Sequence, residues 1–204
     1  MSLKSLKSLK SLMSLNSLPP NIVMTIYRKS GGYQKLFTYQ KAEVIYDLTY
    51  LFCKRYIRSN DRTYDQMIQA ARSGKQNIAE GSLAAATSAK TEIRLTNVAK
   101  ASLGELLCDY QDYLRTRNLK QWEKDSIEQR FMRNACAKHN DSLYFLNIAQ
   151  TRNDEVIANM AVCIISQCII LLSRQLASLE KNFLINGGFS ENMLKARLKK
   201  SIGK

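Results

Sequence analysis

The sequence predicts an all-α protein. Helix-breaking residues are rare, because only 2 of the 204 residues are proline and 8 are glycine, and leucine, alanine, lysine, arginine, glutamine and serine dominate the composition. Apolar residues recur at the spacing of amphipathic helices over several long segments. The chain is long enough to form one domain with a hydrophobic core and additional appended segments.

Residues 1–24 are predicted to form a low-complexity, disordered tail. Leucine recurs at every third position up to residue 18, and three residues turn a helix by about 300°, so no lasting apolar face forms. Lysines interrupt the segment, which lacks the apolar run of roughly 7–15 residues found in signal peptides. Pro19-Pro20 ends whatever structure precedes it, and Met24 is a candidate initiator of the folded body.

Two helices are predicted in the first half of the chain. The first spans about residues 33–58, and its apolar face comprises Phe37, Val44, Leu48, Leu51 and Phe52. The second spans about residues 64–81, with Asp61 or Thr63 as its N-cap. Gly74 lies in its interior, where glycine costs about 1 kcal/mol relative to alanine, which indicates that another backbone passes close by. Gly81 is expected to close this helix in the left-handed conformation.

A third helix follows a short polar turn. Ser88 is a suitable N-cap, Glu92 is favourable in the first turn, and Asn118 is expected to end the helix. Its apolar stripe consists of Leu95, Val98, Ala99, Leu103, Leu106, Leu107, Tyr110 and Leu114. A smaller amphipathic helix is predicted from about Trp122 to Lys138, with Trp122, Ile127, Phe131 and Ala135 on one side.

The last long helix is predicted to start at Asn153 and to extend to about Lys181. Residues 156–172 contain no charged side chain. A membrane span needs about 20 apolar residues, and polar residues interrupt this run. We therefore expect a helix that is buried on one side by its own fold and on another by a neighbouring subunit. The residues predicted to form this oligomer interface are Met160, Ile164, Cys168 and Leu171.

The five cysteines are predicted to be unpaired and buried. Each lies in a helical stretch among apolar neighbours, and no CxxC pair occurs. The odd number and the lack of ligand spacing argue against a disulfide framework and against a zinc site. A reducing, cytoplasmic location is therefore expected. The five residues are Cys53, Cys108, Cys136, Cys163 and Cys168.

No catalytic residue, metal site or cofactor site is predicted. His139 is the only histidine, and the sequence contains no GxSxG, P-loop or HExxH pattern. Glu105, Asp109 and Asp112 are spaced along the third helix, and we interpret them as a solvated stripe or as partners of lysine and arginine. The protein is therefore expected not to be an enzyme.

Several segments resemble one family of helical proteins. NIAEG at 77–81 and TEIRLTNVAKASLGELLCDYQDYLR at 91–115 are similar to a four-helix bundle family. That family includes proteins encoded in intervening sequences of large-subunit rRNA and the accessory variability protein of diversity-generating retroelements. GGYQKL at 31–36, DQMIQAARSGKQNIAEG at 65–81 and FLINGGFSENMLKARLKK at 183–200 resemble a longer subfamily with a C-terminal suffix.

The resemblance implies an up-down four-helix bundle that assembles as a ring, with a pentamer known for the family. On this resemblance the bundle is expected at residues 25–182. The chain departs from the short family members by its tail, by a helical insertion at 118–150 between bundle helices 3 and 4, and by a short, basic C-terminal suffix helix at 183–204. Family members are basic, and the retroelement protein binds nucleic acid and a reverse transcriptase. A protein partner such as a polymerase is implied in the same way.

The charge of the chain favours a polyanionic partner. With 31 Lys and Arg against 17 Asp and Glu, the formal net charge is +14, which favours nucleic acid, an acidic protein or a membrane surface. In an up-down bundle, the end of helix 1, the start of helix 2 and the end of helix 3 share one pole, which the insertion is expected to cap. The predicted nucleic-acid-binding residues are Lys54, Arg55, Arg58, Arg62, Arg115, Arg117, Lys120, Lys124, Arg130 and Arg133, with Lys138 beside them.

Three interpretations of these cations stay open. Tyr56, Tyr64 and Trp122 are interleaved with them, which suits base stacking beside phosphate contacts, and a ring would repeat the surface in each subunit. The rings are also explained as core residues, and cations at helix C-termini complement the helix dipole by about 0.3–1 kcal/mol without a ligand. RNA or DNA is the main expectation. The alternative is a structural or adaptor oligomer that binds an acidic protein, and no membrane partner is expected.

Overall fold

The computed structural model describes residues 32–202, which form helices joined by turns and short loops. No strand occurs within this range, so the all-α prediction is confirmed, whereas the predicted tail at 1–24 lies outside the described residues. A short 3-10 helix at Tyr33–Lys35 precedes α1 (Phe37–Tyr56), α2 (Arg62–Ala84), α3 (Ala89–Thr116), α4 (Ile127–Lys138), α5 (Ser142–Ala149), α6 (Asp154–Asn186) and α7 (Phe189–Ile202).

The four long helices pack in a closed order around one core. α1 contacts α2, α2 contacts α3, α3 contacts α6, and α6 contacts α1, while α4 packs on α6 and α5 packs on α1. Burial of each large apolar side chain contributes about 1.5–3 kcal/mol. Fully buried residues of this core include Leu48, Phe52, Ile78, Leu103, Leu106 and Ile164.

The predicted N-cap Ser88 is confirmed, Asp61 rather than Thr63 caps α2, and Asn153, predicted as the start of the last long helix, is its N-cap. Asp61 accepts a hydrogen bond from the Thr63 backbone N–H at 2.9 Å, and Ser88 accepts one from the Thr91 backbone N–H at 3.1 Å. Asn153 caps α6 by accepting from the backbone N–H of Val156. Each bond satisfies a backbone donor that has no partner inside its helix.

The two glycines of α2 lie where α3 packs closely. A Cβ atom at Gly74 would lie 2.6 Å from Leu103 Cδ2 of α3, so the close neighbour is a side chain rather than a backbone. Gly81 does not end the helix as predicted, because α2 continues through it to Ala84. A Cβ at Gly81 would lie 3.4 Å from the Glu92 carbonyl oxygen, so this glycine also serves contact with α3.

The connection between α3 and α6 contains two helices rather than the single predicted one. Asn118 has a left-handed φ of 55° just after α3 ends, as its role in ending the helix requires. α4 starts at Ile127, capped by Ser126, and α5 was not predicted. Part of the predicted apolar face is exposed, since Ile127 is 75% and Phe131 is 54% accessible. The buried residues of α4 are Met132, Ala135 and Cys136. In α1, Phe37 is likewise exposed instead of buried.

α6 packs against α1, α3 and α4. By length and composition alone it would be able to cross a membrane, but 61% of its most apolar window is buried inside the protein. Core helices of soluble proteins can have the same length and the same apolar composition. α6 ends at Gly187, whose φ is 68°, so the expected boundary between residues 182 and 183 falls inside this helix.

Three of the four side chains predicted to meet a second subunit are enclosed by this chain's own core. Met160 is 1% accessible, and Ile164 and Cys168 are 0% accessible, so they are unavailable to a neighbouring subunit in this conformation. Leu171 is half-buried. The apolar run of α6 therefore reflects burial within the chain on most of its faces.

The cysteines are unpaired, and four of the five are buried. Cys108 is exposed, contrary to the prediction that all are buried, because it lies on the outer side of α3. Burial raises the pKa of Cys53, Cys163 and Cys168 to about 12 and that of Cys136 to about 11.

Candidate nucleic-acid interface

Four helix ends meet at one pole of the fold, which we call the basic pole. Tyr113 at the end of α3 donates a hydrogen bond through Oη to Asp154 Oδ2 at the start of α6, at 2.8 Å. Tyr56 at the end of α1 donates through Oη to the carbonyl oxygen of Arg152, just before α6, at 3.0 Å. The turn between α1 and α2 lies at the same pole, because the positive charges of Arg58 in this turn and of Arg117 after α3 both lower the pKa of Asp61.

Seven of the predicted cations lie at this pole, and all seven are exposed. Four belong to the turn between α1 and α2 and its flanking helix ends, and three belong to the end of α3 and the loop after it. Lys120 is placed by Asn159 of α6, whose Nδ2 donates to the Lys120 carbonyl oxygen at 2.9 Å. The seven are Lys54, Arg55, Arg58, Arg62, Arg115, Arg117 and Lys120.

The cations of the basic pole differ in whether their side chains interact with other residues of the chain. Arg115 pairs with Asp112 at 2.8 Å, an exposed ion pair that contributes little to stability. The Arg117 guanidinium lies 3.8 Å from the centre of the Tyr113 ring. Lys54, Arg58 and Arg62 form no ion pair and no side-chain hydrogen bond with any residue in 32–202. Their charges are therefore accessible to a ligand.

Asp61 is the principal acidic group between these cations. The pKa of its carboxyl is lowered, first by the hydrogen bonds that it accepts from Thr63 and then by the positive charges of Arg58 and Arg117. Asp61 is committed to capping α2. The Asp61 carboxylate near these two arginines is thus already hydrogen-bonded to the N-terminus of α2.

Arg55 has a structural role in addition to its exposure. Its Nη1 donates to the carbonyl oxygens of Ala149 and Gln150, both at 3.2 Å. These carbonyls lie at the end of α5, where a cation complements the helix dipole. For Arg55, the interpretation of the cations as helix-terminal groups is therefore the better supported one.

The segment between α3 and α6, which was predicted to cap the basic pole, runs along the side of the fold instead. It leaves the pole near Asn159, whose Oδ1 accepts from the Trp122 backbone N–H at 2.8 Å. At the other end of α4, Lys41 of α1 donates to the carbonyl oxygens of Cys136 and His139. Lys41 and Arg55 are about 20 Å apart along α1, since a helix rises about 1.5 Å per residue. α4 therefore runs away from the pole and α5 returns to it.

Because α4 runs away from the pole, four of the predicted cations lie outside the centre of the pole. Lys138, next to His139, lies far from it. Arg133 is near Cys163 in the third turn of α6, and its Nη2 donates to the Lys124 carbonyl oxygen and to Gln129 Oε1. Arg130 lies between these levels on α4, and Lys124 stays closest to the pole. All four side chains are exposed.

The interleaved aromatic residues pack against the core. Tyr56, Tyr64 and Trp122 are half-buried and contact the hydrophobic cluster. The Tyr56 ring lies 5.5 Å from that of Phe52, and its hydroxyl is bound to Arg152. These three rings therefore pack against the core instead of projecting into solvent, where they could stack on bases.

Sequence reasoning missed one cation of the pole. Arg152 is exposed and lies in the loop before α6, next to Tyr56. The signal was present in the sequence, because the start of the fourth long helix of an up-down arrangement shares the pole with the other three ends. Arg152 precedes the N-cap Asn153 by one residue.

Within residues 32–202, no group of three or more histidine, cysteine, aspartate or glutamate side chains is placed so that it could hold a metal ion. The only histidine, His139, forms the C-cap of α4 and stacks on Tyr144 with ring centres 3.7 Å apart. Glu105 and Asp109 line an open groove between α2 and α3. Burial raises the pKa of Asp109, and the charges of Asp112 and Glu105 raise it further.

Comparison of the chain with protein families, with curated proteins and with solved structures finds no match.

Proposed function

We propose that this protein is a non-enzymatic, oligomeric four-helix bundle whose basic pole binds the phosphate backbone of RNA or DNA. The observation that carries the proposal is the convergence of Arg58, Arg62 and Arg117 from three helix ends onto one exposed surface. Arginine forms strong, charge-assisted hydrogen bonds with phosphate. The resemblance to intervening-sequence and retroelement accessory proteins supports the same function, including a role beside a polymerase.

The proposed contact is with the backbone rather than with the bases. Single-strand binding proteins combine cations with exposed aromatic rings, whereas Tyr56, Tyr64 and Trp122 are packed on the core. Phosphate contacts supply affinity without sequence specificity. We therefore propose weak, low-specificity binding that repetition of the pole in an oligomer strengthens.

The bundle and its assembly belong to the same proposal. The closed packing order of α1, α2, α3 and α6 supports an up-down bundle in which α4 and α5 form the insertion. With most of α6 enclosed, we assign the subunit contact to its C-terminal end, where Leu184 and Ile185 are 83% and 67% accessible. The buried, unpaired cysteines support a reducing, cytoplasmic location, and α6 is proposed as a core helix rather than a membrane span.

The test is a fluorescence anisotropy titration of the full chain against a labelled RNA hairpin and a labelled DNA duplex at two salt concentrations. We expect binding that weakens with salt, with a log–log slope near −0.9 per phosphate neutralised on duplex DNA. The triple variant Arg58→Glu, Arg62→Glu, Arg117→Glu should lose at least tenfold in affinity. The control Arg72→Glu, Lys90→Glu, Arg94→Glu changes the net charge equally at exposed sites away from the pole and should bind nearly normally.

Two results would overturn the proposal. Equal losses in both triple variants would show that net charge alone attracts nucleic acid, and the pole would have no special role. No binding to either probe at low salt would remove nucleic acid as the partner. The second candidate is an adaptor oligomer that binds an acidic protein. The packing of Tyr56, Tyr64 and Trp122 against the core favours it, and an absence of binding to both probes would favour it further.

A further inference from the structure

A cleft separate from the basic pole opens between α1, α4 and α6. Its volume is about 280 Å³, and its lining includes Lys41, Asn140, Gln167 and Arg174 together with Phe37 and Ile170. Ligand pockets in proteins usually span about 300–1,000 Å³, so this cleft lies just below that range and has room for a small ligand only. Lys41 lies about 20 Å along α1 from Arg55 of the basic pole.

Lys41 gives the inner part of the cleft a buried positive charge. The residue is only 2% accessible, and its ammonium group donates to the carbonyl oxygens of Cys136 and His139. An ammonium group has three donors, so one donor is left after these two bonds. Burial lowers the pKa of Lys41, and the neighbouring Cys136, Cys168 and Asp141 oppose this shift.

Arg174 places a second positive charge at the same cleft. It is exposed, and it forms no ion pair and no side-chain hydrogen bond with any residue in 32–202. No carboxylate lines the cleft within that range. Two cations without a lining acid favour an anionic ligand, and a carboxylate matches the planar guanidinium of arginine.

The remaining walls determine the rest of the ligand. Phe37 and Ile170 are 63% and 52% accessible, and their apolar surface lies on the same cleft as the cations. Covering such exposed apolar surface is favourable at about 25 cal/mol per Å². Asn140 and Gln167 add polar groups that can orient a ligand head group.

We propose that this cleft binds a small amphiphilic carboxylate, with its head group bonded to Lys41 and Arg174 and its apolar body against Phe37 and Ile170. This site is independent of the proposed nucleic-acid contact, because it shares no residue with the basic pole. A bound carboxylate also supplies the counter-charge that the buried ammonium of Lys41 lacks among its hydrogen-bonding partners.

The test is isothermal titration calorimetry of the full chain with sodium octanoate, 1-octanol and inorganic phosphate. We expect one octanoate per chain, at least tenfold weaker binding of the neutral 1-octanol, and no competition from phosphate. Arg174→Gln should weaken octanoate binding about tenfold or more, because a charged hydrogen bond is lost, and Ile170→Ser should weaken it through the apolar wall. Arg72→Gln, an exposed arginine on α2, should leave it unchanged.

Each of the opposite results overturns the proposal. If millimolar octanoate produces no saturable heat, the cleft is not a carboxylate site. If 1-octanol binds as tightly as octanoate, only the apolar wall attracts ligands. If Arg174→Gln binds octanoate normally, the ligand lies elsewhere, and if phosphate displaces octanoate, the site recognises anions without regard to an apolar body.

Discussion

Gly74 and Gly104 differ in what surrounds them, although both are interior glycines of long helices. A Cβ at Gly74 would meet Leu103 Cδ2 at 2.6 Å and Cγ at 2.8 Å, whereas a Cβ at Gly104 would meet nothing within 4 Å. Gly74→Ala should lower the free energy of unfolding by up to about 2 kcal/mol, because the overpacking cost of about 1–3 kcal/mol exceeds the gain of about 1 kcal/mol in helix propensity. Urea unfolding measures the difference.

Gly104→Ala is the matched control for this experiment. With open space around the new methyl group, only the helix propensity changes, and the variant should gain up to about 1 kcal/mol. If both variants were stabilised equally, the contact between α2 and α3 at Gly74 would be looser than the structure indicates.

The cysteines should differ sharply in reactivity. Cys108 is exposed, whereas burial raises the pKa of each other thiol to about 11 or 12. Reaction with DTNB requires an accessible thiolate. The native protein should therefore release one equivalent of product quickly, and the urea-unfolded protein should release five, one for each cysteine.

Cys108→Ser is the control for this measurement and should abolish the fast reaction in the native state. A second fast equivalent in this variant would place one of the four buried cysteines at the surface.

Local residue roles were predictable where they depend on sequence neighbours only. Asp61, Ser88 and Asn153 cap their helices through bonds to residues two or three positions on, so the capping pattern sufficed. Gly81 was misinterpreted as a helix end, because α2 continues through it to Ala84 and packs there against α3. That contact joins two helices, and no local pattern contains it.

At the scale of the element, Lys41 fastens the α4–α5 pair to α1. It bonds the carbonyl oxygens of Cys136 and His139 at the end of α4 and lies 5.5 Å from the Phe145 ring of α5. Lys41→Met should destabilise this pair by about 1–3 kcal/mol, because both carbonyls lose their charged donor. Hydrogen exchange of residues 127–149 should accelerate more than that of α2 and α3.

Lys54→Met is the matched control, since Lys54 lies on the same helix, is exposed and makes no side-chain hydrogen bond within the described residues. Its exchange should stay close to that of the unmodified protein. Equal acceleration throughout the chain in Lys41→Met would mean that Lys41 supports the whole core and not this pair in particular.

Element faces were predictable only where one partner dominates the packing. Five of the eight predicted stripe residues of α3 are buried, Leu95 and Leu107 are half-buried, and Val98 is exposed instead of buried. The five buried residues are Ala99, Leu103, Leu106, Tyr110 and Leu114. The face of α4 was not identified, because Ile127 and Phe131 form as good a helical stripe as the residues that are buried. The position of α4 depends on distant groups such as Asn159 and Lys41, which periodicity does not reveal.

At the scale of the molecule, the basic pole followed from topology rather than from any motif. Arg58 and Arg62 flank one turn, whereas Arg117 is distant from both in sequence, and only the packing of the end of α3 beside that turn brings it to them. The same topology implies Arg152, which the sequence analysis left out. The route of the insertion did not follow from topology, since a connection of its length can either cap a pole or lie along a side.

Assembly is the remaining property of the whole molecule, and the end of α6 is where it should be tested. Leu176 is the last buried residue of this helix, whereas Leu184 and Ile185 are strongly exposed. If they meet a second copy, Leu184→Glu with Ile185→Glu should reduce the mass measured by light scattering to that of one chain, because two charges would replace the apolar contact. Leu143→Glu, at a residue that is 72% accessible on α5, is the control and should leave the mass unchanged. An oligomer of unaltered mass in the double variant would exclude the end of α6 as the interface. Monomeric unmodified protein would remove the multivalency on which tight binding at the basic pole depends.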